Sequence, residues 1–229
     1  MNCAILVAAG RGTRMGGHGD KLWLEVAGRP VIAHTWQKFN DAACLSRIIL
    51  VVREGAQAAF EKLAAQCKFQ KPFAIVVGGA ARQDSVWNGL EALPPNAELV
   101  AIQDAARPCT SGELIAATLK AAEETGAAVA AQPVTDTLKE SADGRFIQRT
   151  LDRSRLWAVQ TPQTFRVEVI RRAIAAAREK KLLFTDDTAA CELIGQPVRL
   201  VCNLAPNPKV TTPNDVSVVE MLLRQVRAR

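Results

Sequence analysis

The sequence predicts an α/β fold of three layers, with helices on both faces of a mostly parallel sheet. Two patterns predict it. Short apolar runs at 4–9, 48–52, 74–77, 99–102, 127–131 and 198–202 have the length and composition of strands buried on both faces. Longer segments of helical character lie between or beyond them, at 29–39, 55–68, 85–93, 112–125, 167–180, 187–194 and 213–227. Strand and helix in alternation imply a sheet sandwiched by helices. With 229 residues, 48% hydrophobic and 23% charged, the expectation is a single domain over 1–229.

Taken in chain order, the first run feeds a loop with glycines at 10, 12, 16 and 17, the second ends at Arg53-Glu54, and the third opens into Gly78-Gly79. The fourth ends in Gln103-Asp104. Two helix starts are signed. Thr110 followed by Glu113 reads as a capping box for the helix at 112–125, and Thr212-Pro213 places a capping hydroxyl before a proline at the first helical position. The stretch 133–162 breaks the alternation, with Thr135-Asp136-Thr137, a turn at Asp143-Gly144 and strand-like Phe146-Ile147. It reads as a surface loop or as a hairpin arm, over 133–156, used for dimerisation.

Composition narrows the function. No run reaches the ~18 apolar residues that span a bilayer, and Arg11 and Arg14 follow the first apolar run where a signal peptide would put them before it. No membrane is expected as a partner, and the expected location is cytoplasmic. Six cysteines at irregular intervals without a C-x-x-C pair suggest buried small hydrophobes rather than disulfides or zinc ligands. Two histidines exclude a relay of several imidazoles, and His34 reads as a core residue. The 29 basic and 23 acidic residues leave a net charge of +6, which favours anionic partners. Tyr is absent and Phe and Trp do not interleave with the cations, so small phosphorylated ligands are expected and nucleic acid is not.

Three constellations carry chemistry. Glycine allows backbone N–H groups to approach phosphate oxygens closely. The loop at 8–21 combines such glycines with Arg14 and Lys21. Met15 breaks the dinucleotide spacing and Leu22 after Lys21 breaks the P-loop pattern. Two cations around a glycine-rich loop suit a triphosphate whose α-phosphorus is attacked. At 78–85, Arg82 offers planar donors to a base or a phosphate and Ser85 stands near a helix start; an ordinary turn and cap explain the segment equally well. At 103–108, Asp104 sits where a Mg²⁺ ligand belongs, since Mg²⁺ takes one or two carboxylates plus phosphate oxygens. Arg107 is placed to grip an acceptor phosphate, unless the two simply pair. Thr137, Arg153, Thr161, Thr185, Asp186 and Lys209 are individually weak; caps and a solvated basic face account for most of them.

Five blocks in order give the chain its resemblance: AAGRGTRM at 8–15, GGAARQDSV at 78–86, DAARP at 104–108, QTPQTF at 160–165 and PKVTTPND at 208–215. The whole length is similar to the 2-C-methyl-D-erythritol 4-phosphate cytidylyltransferase family. The resemblance implies the nucleotide-diphospho-sugar transferase fold, with a Rossmann-like sheet and a protruding arm. It also implies a homodimer with exchanged arms, CTP and Mg²⁺ as co-reactants, and methylerythritol phosphate as acceptor. Carried over by position, Ala8, Ala9, Gly10, Gly12, Gly79, Arg82, Ser85, Asp104 and Ala105 would line the CTP pocket. Arg14, Lys21, Arg153 and Lys209 would be catalytic, with Asp104 as the metal ligand. Asp104, Arg107, Thr137, Arg153, Thr161, Thr185 and Lys209 would meet the acceptor, Thr137 and Arg153 from the partner's arm.

Two departures from the family's usual pattern stand out. Asp20 precedes Lys21 where the family has Pro, and Leu22 follows it where the family has Gln. An acidic Asp20 is expected to pair with Lys21. Gln103 stands where His is common. A close rival, ribitol-5-phosphate cytidylyltransferase, shares the nucleotide motifs but tends to carry Val where Ala105 stands. A dinucleotide-dependent dehydrogenase is disfavoured by Met15 and Arg53-Glu54, and a non-catalytic nucleotide-binding module has little use for Arg14, Lys21, Asp104 and Lys209 together.

Overall fold

A computed structural model describes residues 1–10 and 20–227 of the chain. A seven-stranded sheet forms its centre. In chain order it is built from β1 (Asn2–Ala8), β4 (Arg47–Val52), β5 (Phe73–Val77), β6 (Leu99–Asp104), β7 (Ala127–Pro133), β10 (Trp157–Arg166) and β11 (Arg199–Cys202). The spatial order is β11-β7-β10-β6-β1-β4-β5. Every pairing is parallel except the two made by β10. Two short pairs complete the strands: β2 (Glu25–Val26) with β3 (Arg29–Pro30), and β8 (Lys139–Glu140) with β9 (Arg149–Thr150).

The apolar runs form strands because both faces are covered. Along β1 and β4 successive side chains go to opposite cores. Leu6, Ile48 and Leu50 pack with Trp36 and Phe39 of helix α1 (Val31–Asp41) and with Ile115 and Leu119 of α4 (Gly112–Thr125). Ile5, Ile49 and Val51 pack with Val86 and Leu90 of α3 (Arg82–Glu91) and with Ile170 and Ile174 of α5 (Val167–Glu179). Each such large side chain, fully buried, is worth about 1.5–3 kcal/mol. Gly89 lets α3 sit this close, since a Cβ there would stand 2.8 Å from Ile5 Cγ2 and 2.9 Å from Val51 Cγ2. The edge strand β11 is largely exposed and β5 is only half-buried, so the expectation of two covered faces fails at both edges.

Other expectations need revision. The helix foreseen at 29–39 starts at Val31, because Arg29 and Pro30 pair with Glu25 and Val26. Ser111, not Thr110, caps α4: its side chain accepts from Leu114 N–H (3.2 Å), while Thr110 is fully buried in a polar network. At the other end of α4, Gly126 takes φ +89° and its N–H reaches Ala122 O (2.8 Å). Of α2 (Gln57–Cys67), α6 (Asp187–Leu193) and α7 (Pro213–Arg227), α6 is capped by Asp186, whose carboxylate accepts from Ala189 N–H (3.1 Å). In the first turn of α7, Asp215 reaches back to accept from the N–H groups of Thr211 (2.8 Å) and Thr212 (2.7 Å).

The largest correction is β10. The sequence places most of it in the irregular stretch 133–162, yet Trp157–Arg166 runs through the sheet between β6 and β7. Beyond the paired ends Pro133 and Trp157, the chain forms the β8–β9 hairpin, whose residues are exposed. The six thiols are all free; Cys3 and Cys191 are buried, but Cys202 is exposed, contrary to expectation. His34 is buried, its Nε2 lying 2.7 Å from Val26 O. No described helix is long and apolar enough to cross a membrane.

Candidate active site

Parallel strands bring their carboxyl ends to one edge of the sheet, and a crevice opens there beside β1, where the chain, having stepped outward through β4 and β5, crosses back to place β6 on the other side of β1. A cleft of about 970 Å³ lies there, lined by residues 8–10, 53–54, 77–82 and 104–106 from the ends of β1, β4, β5 and β6. Ser85, Lys21, Leu22 and Lys209 close it. The turn after β5 is compressed. A Cβ on Gly78 would stand 2.5 Å from Ala9 Cβ, and one on Gly79 would stand 2.3 Å from Asp84 Cβ, so both positions need glycine for space.

The charges concentrate on Asp104. Its carboxylate lies 2.8 Å from Lys209 Nζ, 3.6 Å from Arg107 Nε and 3.9 Å from Arg82 Nε. Burial alone would push its pKa up; Lys209, then Arg82 and Arg107, outweigh that and hold the carboxyl below its ordinary value. Arg82 is itself fixed from behind, with Nη1 and Nη2 each 2.8 Å from a carboxylate oxygen of Asp187. Asp187 is fully buried at the start of α6, where Gln163 Oε1 accepts its N–H (2.9 Å). Burial lifts the Asp187 carboxyl, and the guanidinium opposes that.

Two lysines come to the same cleft. Lys21 Nζ donates to Val210 O (2.9 Å), next in sequence to Lys209. Asp20 pairs with Arg53 at the end of β4 rather than with Lys21, and its other oxygen accepts from Leu22 N–H (3.1 Å). The acidic residue before Lys21 therefore anchors the chain to β4.

As a metal ligand Asp104 offers one carboxylate, and among the described residues no cluster of three or more His, Cys, Asp or Glu could hold an ion. A single carboxylate is a donor set that Mg²⁺ accepts, since the ion keeps several waters and is bound by one or two carboxylates together with substrate phosphates.

A family model of 2-C-methyl-D-erythritol 4-phosphate cytidylyltransferase matches residues 2–225. The chain belongs to that family. A relative of the same name from Pelotomaculum thermopropionicum is 41% identical over 227 residues, 99% of this chain and 95% of its own length. Another from Geobacillus kaustophilus is 43% identical, covering 96% of each chain. Among solved structures, the Thermus thermophilus 2-C-methyl-D-erythritol 4-phosphate cytidylyltransferase superposes with a TM-score of 0.78 at 36% identity, over 96% of this chain and 98% of that one. The 4-diphosphocytidyl-2C-methyl-D-erythritol synthase of Anaerococcus prevotii reaches a TM-score of 0.86 at 29% identity, over 98% of each.

Of the residues that the family resemblance singles out, Ala8, Ala9, Gly10, Lys21, Gly79, Arg82, Ser85, Asp104, Ala105 and Lys209 line one cleft. Gly12 and Arg14 lie outside the described residues. The rest stand elsewhere. Arg107 sits behind the cleft, donating to Asn207 O (2.7 Å) and facing Asp104, so it is not an open fork for a phosphate. The Thr161 hydroxyl is buried and accepts from Asp104 N–H (3.1 Å). Ser85 spends its hydroxyl inside the turn, accepting from Gly79 N–H (3.1 Å) and donating to Ala81 O (3.2 Å). Thr185 is exposed ahead of α6, and Thr137 and Arg153 are exposed at the hairpin, where Arg153 donates to Thr135 O.

Sequence reasoning missed Asp187, Asn207 and the role of Arg53. Asp187 stood in a run of two acids, and nothing local says which of them reaches Arg82, 105 positions away. For Asn207 the flanking prolines were the one available signal of a shaped, irregular segment.

Proposed function

We infer that this cleft holds CTP and a polyol phosphate side by side and joins them. The chain is a CTP-dependent nucleotidyltransferase, and its family's reaction moves CMP from CTP to 2-C-methyl-D-erythritol 4-phosphate in the non-mevalonate route to isoprenoid precursors. The observation that carries the assignment of the site is Asp104, an ionised carboxylate at a strand end with Lys209 at 2.8 Å and Arg82 beside it. Three cations gathered on that one carboxylate leave the site net positive, which suits a reaction whose reactants are all anions.

In that reaction a phosphate oxygen of the acceptor attacks the α-phosphorus of CTP, the bond to the bridging oxygen of the β-phosphate breaks, and pyrophosphate leaves. No general base is needed, because the attacking phosphate is already ionised. Catalysis is positioning and charge. The glycine backbone at 8–10 and 78–79 approaches the nucleotide, with Arg82, Ser85 and Ala105 shaping its pocket; Lys21, with Arg14, takes up charge growing on the leaving pyrophosphate. Lys209 and Asp104 face the acceptor, while Arg107 and Thr161 hold Asp104 in place. Asp104 is the residue that would hold Mg²⁺ alongside the substrate phosphates, and the ion would supply further positive charge there.

The arm completes the reading. Residues 133–156 form an arm on a single domain, and in a homodimer Thr137 and Arg153 reach the partner's acceptor, with Thr185 at the rim. Support comes from the hairpin tip, where Phe146 is 75% and Ile147 66% exposed, an apolar pair that gains by being covered. Six unpaired thiols suit a reducing cytoplasm.

Purified protein with CTP, Mg²⁺ and methylerythritol phosphate is expected to release pyrophosphate, and to do so far more slowly with ribitol 5-phosphate. Faster release with ribitol phosphate overturns the acceptor assignment, and no release with either overturns the site.

A further inference from the structure

Residues 203–212 have no regular secondary structure, yet Asn203, Asn207 and Val210 are buried. The segment leaves β11 at the sheet edge and crosses toward β1, tied down strand by strand. Asn203 N–H donates to Ala131 O in β7 (2.9 Å), and Val210 N–H donates to Ala106 O just past β6 (2.9 Å). Asn207 is the tie between them. Its Nδ2 donates to Gln160 Oε1 (3.1 Å) and Thr161 O (3.0 Å) in β10, and its Oδ1 accepts from Thr110 Oγ1 (3.0 Å). Its backbone carbonyl accepts from Arg107 Nη1 (2.7 Å). Asn207 is only 4% exposed, so bulk solvent has little access to replace these partners.

Two cations depend on where this tie puts the chain. Lys209, two residues on, sets Nζ 2.8 Å from Asp104 Oδ2, and the Val210 carbonyl, three residues on, accepts from Lys21 Nζ at 2.9 Å. We propose that Asn207 is a positioning residue for cytidylyl transfer: it touches no substrate, and it fixes the turn that aims Lys209 at Asp104 and the Val210 carbonyl at Lys21. The inference rests on the roles given above to those two lysines. Its physical basis is that a charge stabilises a transition state best when it need not move to do so.

The test is a double-mutant cycle with a substrate-free arm. Asn207→Ala is expected to lower kcat by about ten- to a hundred-fold, the scale of a misplacement near 1 Å, with KM for CTP nearly unchanged. In a chain already carrying Lys209→Ala, the same replacement is expected to cost at least about fivefold less, since coupled residues are non-additive. In ligand-free protein, acylation of Lys209 by acetic anhydride, read by mass spectrometry, is expected to run several-fold faster in Asn207→Ala, because the ammonium is no longer held on Asp104. Equal kinetic cost in both backgrounds, or an unchanged acylation rate, overturns the proposal. Thr110→Val, which removes the hydroxyl on Asn207 Oδ1, is read the same way with a smaller effect should Asn207→Ala fail to fold. Wild-type protein that releases no pyrophosphate overturns cytidylyl transfer instead, and the acylation rates still decide the role of Asn207.

Discussion

The cleft and the hairpin both carry charged side chains, but those charges live in different media. Asp104 in the cleft and Arg107 behind it have side chains 13% exposed, and Asp104 has three cations within 3.9 Å. Arg149 and Glu140 pair across the hairpin with side chains 70% and 44% exposed. An exposed pair of that kind contributes about 0–1 kcal/mol and is screened by salt. A shielded one interacts more strongly and is costly to break. The lesson is that the cleft's charges can be read from this chain's own geometry, whereas the hairpin's Arg153 and its apolar tip acquire a task only when something else covers them.

The sharpest way to break that contrast is Asp187→Ala. It removes both oxygens that hold the Arg82 guanidinium at 2.8 Å and leaves it only the more distant Asp104, at 3.9 Å; breaking one side of a buried pair costs about 3–5 kcal/mol. A urea midpoint shifted by that amount, with weaker CTP binding, is the expected result; Glu140→Ala in the hairpin serves as the control and should move stability by no more than about 1 kcal/mol. Equal effects would mean that the cleft is as wet as the hairpin.

Next in size is Lys21→Ala. Turnover should fall by about 10²–10³-fold, the scale seen on removing one transition-state stabiliser, while KM for CTP changes much less. Matching losses in both would make Lys21 a ground-state binder.

How far the sequence could anticipate this follows the same divide between local and distant. The central strands were legible because Ile48–Val52 and its like are unbroken apolar runs, which only burial on two faces explains. The strand β10 was not. Its buried residues Gln160, Thr161 and Gln163 are polar, and they are tolerated mainly because Asp104, Asn203, Asn207 and Asp187 bond to them from far along the chain. In the cleft, glycines 78 and 79 and Asp104 were legible from motif and strand end. The partners that fix the cations were not, since Arg82 meets Asp187 and Lys21 meets Val210 across 105 and 189 positions, and Asp20 chose Arg53 over its neighbour.

A third measurement asks whether the hairpin serves a cleft at all. Subunits carrying Arg153→Ala and subunits carrying Lys209→Ala, each nearly inactive alone, are mixed and allowed to exchange. If a partner's arm completes each site, half of a twofold population is hybrid and each hybrid has one intact site, so about a quarter of wild-type activity returns. No recovery assigns Arg153 to its own chain or to the surface.

The smallest effect separates the two media by pH. Asp104 has a folded pKa held below its ordinary value, so its ionised form contributes stability that is present above the unfolded pKa of about 3.9 and is lost as pH falls through the folded one. The stability difference between wild type and Asp104→Asn should therefore stay level from neutral pH down to about 5 and decline only below about 4. Urea unfolding across that range measures it. A decline centred well above pH 4 would mean that burial of the carboxylate outweighs Lys209, Arg82 and Arg107, and that the cleft without substrate is held together less by its charges than the 2.8 Å contact implies.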